Sequence, residues 1–292
     1  QRDCGKVGEL TVSDDPGVPE RDPMKCGGAV WNWYDPSQSL TAFVEELISE
    51  GFEAISVQPR QVLDLADAEC ADLMAILDRH EMPVTVHAAA EHFAADLMRA
   101  LLDRLGPRLY AVTLDGVMRW APTGMRWDGD RMAQTLLMIE RLGADTAVRY
   151  GIEDFPVDAT ALSELARDRR PLHGRQRWGM LVDLGHLNLR RHGSAYCGRM
   201  SVAENIARLP VPVVEVHIHD NPGDRDAHMP LGSGTLDYAE AALALRRRGF
   251  DGIATIEVCP SLHDRRPADV WETRAESLQL WRQAWEDATA VT

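Results

Sequence analysis

Apolar residues along this chain fall in short continuous runs, separated by stretches in which they recur at helical spacing. The first run, residues 25–31, leads to residues 40–50, where Leu40, Phe43, Val44 and Leu47 mark one helical face and Gly51 follows where a helix C-terminus favours glycine. The same grammar then repeats. Runs at 52–57, 83–87, 109–114, 146–152, 179–182, 213–218 and 252–258 read as strands. Stretches at 66–80, 94–105, 131–142, 159–168, 202–209, 238–248 and 267–286 read as helices. Residues 120–130, WAPTGMRWDGD, read as a long loop, a candidate lid carrying two tryptophans. Near-continuous apolar strands are those covered on both faces by crossover helices. Eight such units predict a single-domain α/β fold, the (β/α)8 TIM barrel, over residues 24–292. A doubly wound sheet is the rival, but no glycine-rich phosphate fingerprint follows the first strand. Residues 1–23 are polar and aperiodic and read as an irregular N-terminal extension.

Composition narrows the function classes. Asp and Glu number 46 against 31 Lys and Arg, a formal net charge of −15, which argues against a nucleic-acid partner. The five cysteines show no CxxC spacing and read as reduced thiols of a cytoplasmic protein. No stretch approaches the roughly 20 apolar residues of a membrane span, so no membrane partner is expected.

The candidate chemistry lies at the strand ends, which in such a barrel converge on one mouth. These ends carry His87, Asp115, Glu153, Asp183 with His186, His217 with His219, and Glu257. A divalent cation held by Glu153, Asp183, His217 and Glu257 would balance carboxylates buried there, and three carboxylates with one imidazole suit Mn2+, Zn2+ or Co2+. His219 and Asp220 are expected to orient His217 and the following loop, and Asp154 to do the same at its own strand end. The segment 190–199 is basic in an acidic chain, so Arg190, with Arg191, His192 and Arg199, is a candidate for a substrate phosphate or carboxylate. Arg225 is a second candidate for substrate binding.

Five pieces carry a resemblance: VTVHA at 84–88, GIEDFP at 151–156, VDLGH at 182–186, HIHDNPGDRDAHMPLGSG at 217–234 and ATIEV at 254–258. Together they resemble the xylose isomerase-like barrel superfamily, which contains sugar phosphate isomerases and epimerases and the zinc apurinic-site endonucleases. The resemblance implies that Glu153, Asp183, His217 and Glu257 are the central metal ligands, with Glu153 and Glu257 also the catalytic acid and base of the epimerase branch. It implies further that His186, Asp226 and His228, and separately His87, hold additional zinc in the endonuclease branch. Here they are candidates for a second metal or for substrate. The chain departs from that branch at 114–115, where Leu114 and Asp115 stand in place of a histidine.

The expected activity is metal-dependent isomerisation or epimerisation of a sugar, sugar phosphate or cyclitol, a small carbohydrate-like substrate, through an enediolate. A phosphodiester hydrolase of the endonuclease type, a same-fold lyase or dehydratase, and a barrel without chemistry are the alternatives. Homodimers or homotetramers are common among barrels resembling this one.

Overall fold

A computed structural model describes residues 24–122, 124–154, 177–191, 200–259 and 270–291. The N-terminal extension, the expected helix at 159–168 and residues 192–199 lie outside them. Eight parallel strands close into a barrel: β1 (Lys25–Ala29), β2 (Ala54–Val57), β3 (Val84–Ala89), β4 (Leu109–Asp115), β7 (Arg149–Glu153), β8 (Trp178–Asp183), β9 (Val213–Ile218) and β10 (Ile253–Ile256). β1 closes the ring by pairing with both β2 and β10. β2, β8, β9 and β10 are buried at every position, which explains their apolar runs.

Local signals set the helix boundaries. The Ser39 hydroxyl accepts from the Ala42 amide to start helix Leu40–Ser49, and Gly51 follows that helix at φ +99°. Asp128, Ser201 and Asp237 cap later helices in the same way. Helix Val270–Val291 buries Leu278, Trp281 and Trp285, so these residues serve the core. Buried Arg274 on that helix donates to Glu50 at 2.7 Å and lies over the Trp33 ring, tying the last helix to the first unit.

Two segments differ from the pattern-based expectation. The first apolar run stops being strand at Ala29, and Val30–Trp33 forms a helical turn. The expected loop at 120–130 is a hairpin instead, with β5 (Met118–Ala121) antiparallel to β6 (Gly124–Trp127), followed directly by helix Gly129–Leu142. Pro and Gly in that stretch read as loop punctuation, whereas the structure pairs the backbones on either side of them. Among the described residues no helix is long and apolar enough to cross a membrane.

Polar side chains from five strands line the interior below the mouth. Ser56, Thr85, Thr113, Glu215 and Thr255 are all fully buried, from β2, β3, β4, β9 and β10. Above that layer stand the charged residues of the strand ends.

Candidate functional site

The parallel register decides which strand-end side chains meet. It sets Asp183 of β8 beside His217 of β9, and His217 beside Thr255 of β10. Glu153, Asp183 and His217 offer ligand atoms that all lie within 4.8 Å of one another. Glu257, just beyond β10, joins from the other side of His217, with Oε2 3.0 Å from Nδ1. Each of the four is at most 7% exposed. Groups so poorly hydrated need counter-charges, and the Glu257 Oε2 atom is buried without a hydrogen bond. A carboxylate and imidazole set with a buried oxygen left over is a donor set that fits a divalent cation.

The remaining candidates form an adjoining layer. His186 reaches Glu153 Oε1 through Nδ1 at 3.2 Å and Asp226 Oδ2 through Nε2 at 3.3 Å. His228 meets the same Asp226 oxygen at 3.3 Å, while its Nδ1 lies 3.0 Å from the Glu257 carbonyl oxygen. His228 holds φ +43°, a backbone conformation rare outside glycine and found where a loop must aim a side chain. His219 stacks on His228 with centroids 3.8 Å apart and contacts Asp183 Oδ1 at 3.0 Å. Asp183–His186–His219 and His219–Asp226–His228 are therefore two further groups with metal-ligand spacing. His87 lies 3.0 Å from Asp115 and 3.8 Å from Glu153, and these three make another.

The two glutamates differ electrostatically. Burial lifts the Glu153 carboxyl to about 7, against the pull of His186 and His87. Burial would raise Glu257 too, but the neighbouring His217 and His228 together outweigh it and hold that carboxyl down at about 2. Asp183 is also buried, yet His186 and His219 hold it well below the usual carboxylate range.

The support behind these side chains is local and specific. Asp154 accepts from the Asp183 amide at 2.9 Å, so it fixes the end of β8, where the sequence suggests support for its own strand end. The Asp220 carboxylate accepts from the amides of Asn221, Gly232, Gly234 and Leu236, at 2.8 to 3.0 Å, and so fastens the whole 221–236 loop. Gly185 leaves room for the His219 ring: a Cβ there would lie 2.0 Å from its Cε1 atom. Gly185→Ala is accordingly expected to push His219 off Asp183 and to cost about 1–3 kcal/mol through overpacking. Thermal melts together with a divalent-metal titration check it, and an unshifted melt with unchanged affinity would contradict it.

Trp31 was not among the residues singled out from the sequence. It follows β1, its ring centroid lies 5.9 Å from that of His87 and 5.7 Å from that of His217, and its Nε1 donates to Glu257 at 3.3 Å. An aromatic directly after the first strand was the available signal. A cavity of about 440 Å³ opens beside His87 and Asp115, with Arg60 and His92 on its wall. Arg225 is exposed and lies 3.9 Å from the equally exposed Asp224. Arg190 lies in helix Leu184–Arg191, but its side chain is outside the described residues, as are those of the other basic residues of 190–199.

Comparison with known proteins gives a consistent picture. The family model for the xylose isomerase-like TIM barrel matches residues 44–282. An uncharacterized protein of Methanocaldococcus jannaschii is 22% identical over 75% of this chain and 79% of its own length. Among solved structures, D-psicose 3-epimerase from Clostridium cellulolyticum H10, solved with D-tagatose, is 13% identical with a TM-score of 0.66, covering 90% of this chain and 99% of that one. L-ribulose 3-epimerase gives 15% and 0.68, covering 91% and 96%. The IolI protein, solved with a zinc atom, gives 14% and 0.60, covering 91% and 98%. At these identities the structural matches show the fold.

Proposed function

The chain belongs to the xylose isomerase-like TIM barrel family, and from that premise we propose that it is a metal-dependent isomerase or epimerase of a small carbohydrate. The observation that carries this reading is the placement of two buried glutamates, Glu153 and Glu257, at strand ends around one histidine. Glu153, Asp183, His217 and Glu257 would hold the ion, Mn2+, Zn2+ or Co2+. Bound there, a divalent cation lowers the energy of the enediolate that a ketose forms when it loses the proton beside its carbonyl.

The protein's own residues do the rest. One glutamate takes the proton and the other, across the substrate, returns one. Return at the same carbon from the opposite face gives an epimer; return at the neighbouring carbon gives the aldose. Trp31 closes one wall of the pocket and excludes water from the exchanging proton. The cavity beside His87 is within the size range of small-molecule sites, and Arg60 and His92 give it polar donors for hydroxyls or a phosphate. The matched 3-epimerases support a ketose as substrate class.

The direct test is metal dependence of carbon–hydrogen exchange. Protein freed of metal by a chelator is expected to lose ketose epimerisation and solvent deuterium uptake, and Mn2+ or Co2+ to restore both. A metal-loaded protein that exchanges no proton in any ketopentose, ketohexose or their phosphates would sink the proton-shuttle reading. The clusters around His219 favour one second reading, a phosphodiester hydrolase with more than one ion. Two or more ions per chain, one of them lost in Asp226→Ala, together with cleavage of abasic DNA, would select it.

A further inference from the structure

We propose that Glu215, buried in the barrel interior and touching no candidate substrate space, dictates which ring nitrogen of both His217 and His87 faces the metal pocket. The proposal rests on the metal-centre reading above and names positioning residues for that centre.

Glu215 is fully buried. Its Oε1 atom lies 2.6 Å from Thr85 Oγ1, 2.9 Å from Thr255 Oγ1 and 3.2 Å from Ser56 Oγ, and its Oε2 lies 3.0 Å from Thr113 Oγ1. Hydroxyls from four other strands thus hold one carboxylate in a fixed pose. An ionised carboxylate can only accept, so Thr113 must spend its one proton on Glu215. The Thr113 oxygen is then an acceptor, and the atom facing it is His87 Nδ1 at 3.2 Å. That nitrogen must carry the proton. In the neutral ring Nε2 is left with its lone pair, and Nε2 is the atom turned to Asp115 and Glu153.

His217 obeys the same rule directly. Glu215 and His217 are two residues apart on β9, so both side chains point to the same interior face. His217 Nε2 lies 3.6 Å from Glu215 Oε1 and has no hydrogen bond, while Nδ1 faces Glu257 at 3.0 Å. Once a cation takes the Nδ1 lone pair, the one ring proton is on Nε2, and Glu215 is the carboxylate that stands behind it. Carboxylates behind metal-binding imidazoles fix tautomer and ring angle in this way, and losing one costs roughly 10- to 100-fold in metal affinity. Here one carboxylate serves two imidazoles, one from 3.6 Å behind its ring and one through a threonine.

The test compares Glu215→Gln and Thr113→Val with the parent, each carrying isotope-labelled histidine. Buried imidazole N–H protons give slowly exchanging low-field NMR signals, which are read without metal and again with Zn2+. With Zn2+ bound the parent is expected to show two on the side of the rings away from the pocket, His217 Nε2–H and His87 Nδ1–H. Thr113→Val should lose only the His87 signal. Glu215→Gln should move both upfield and weaken Mn2+ and Zn2+ binding about 10- to 100-fold, with secondary structure retained. A His87 signal unmoved by Thr113→Val, or a folded Glu215→Gln protein binding metal within about twofold of the parent, overturns the proposal. A parent that binds no divalent ion would instead sink the metal-centre reading, and Thr113→Val would still test the link from Glu215 through Thr113 to His87 in the metal-free protein.

Discussion

Glu153→Gln and Glu257→Gln are each expected to lower ketose turnover by about 10²- to 10⁴-fold, the usual span for removing a positioned acid or base. Glutamine keeps the shape and one acceptor oxygen but can neither take nor give the proton. Because each glutamate also faces the candidate metal site, ion content must be measured beside activity. Loss of turnover at full metal occupancy assigns the proton step; loss of both assigns only a ligand. The two substitutions act on one pathway, so the double variant should be little worse than the poorer single one. Solvent deuterium uptake separates the two carboxylates further. A variant that can still remove the proton but not return it to the other face exchanges label into unchanged substrate. Unchanged turnover in either variant would falsify the shuttle.

Asp220→Ala should give the largest stability loss away from the metal ligands. Its carboxylate is fully buried and accepts from four backbone amides of one loop. Hydrogen bonds to a charged group are worth about 1.5–3 kcal/mol each, and four that share one acceptor do not add in full, so a loss of about 3–5 kcal/mol is expected. For a chain of this size that corresponds to a fall of about 5–8 °C in the melting midpoint. The released loop carries Asp226 and His228, so any ion held by them should be lost first. Asp220→Asn, which keeps acceptor oxygen on one side only, should fall between the parent and the alanine variant. A shift below about 2 °C for Asp220→Ala would show that water replaces those contacts without cost.

Much of the barrel could be read from the chain alone, and for a physical reason. Whether a strand is covered on both faces, or a helix on one, is recorded in the order of apolar residues, because neighbours in sequence share that environment. The runs ending at Glu153, Asp183, His217 and Glu257 therefore announced both the fold and a mouth lined with donors. Even the glycine-rich tail of the 217–234 stretch follows from Asp220, since a side chain at Gly234 would strike the Asn221 carbonyl and the Asp220 carboxylate.

Other features depend on which residues face one another after closure. His219 reads from the sequence as orienting His217, whereas its partners are Asp183 and the stacked ring of His228, which come from the end of another strand and from a loop. The hairpin at Met118–Trp127 and the turn that carries Trp31 over His217 were hidden because their pairings are remote from, or contrary to, the local period. Glu215 is the clearest case. In VVEVHI it is a lone acid in an apolar strand, and Ser56, Thr85, Thr113 and Thr255 are single hydroxyls in four others. Each strand carries its own ingredients in its residue order. Only the closed ring, by setting the register of each strand against the next, brought those hydroxyls around one carboxylate and turned two imidazoles toward the same pocket.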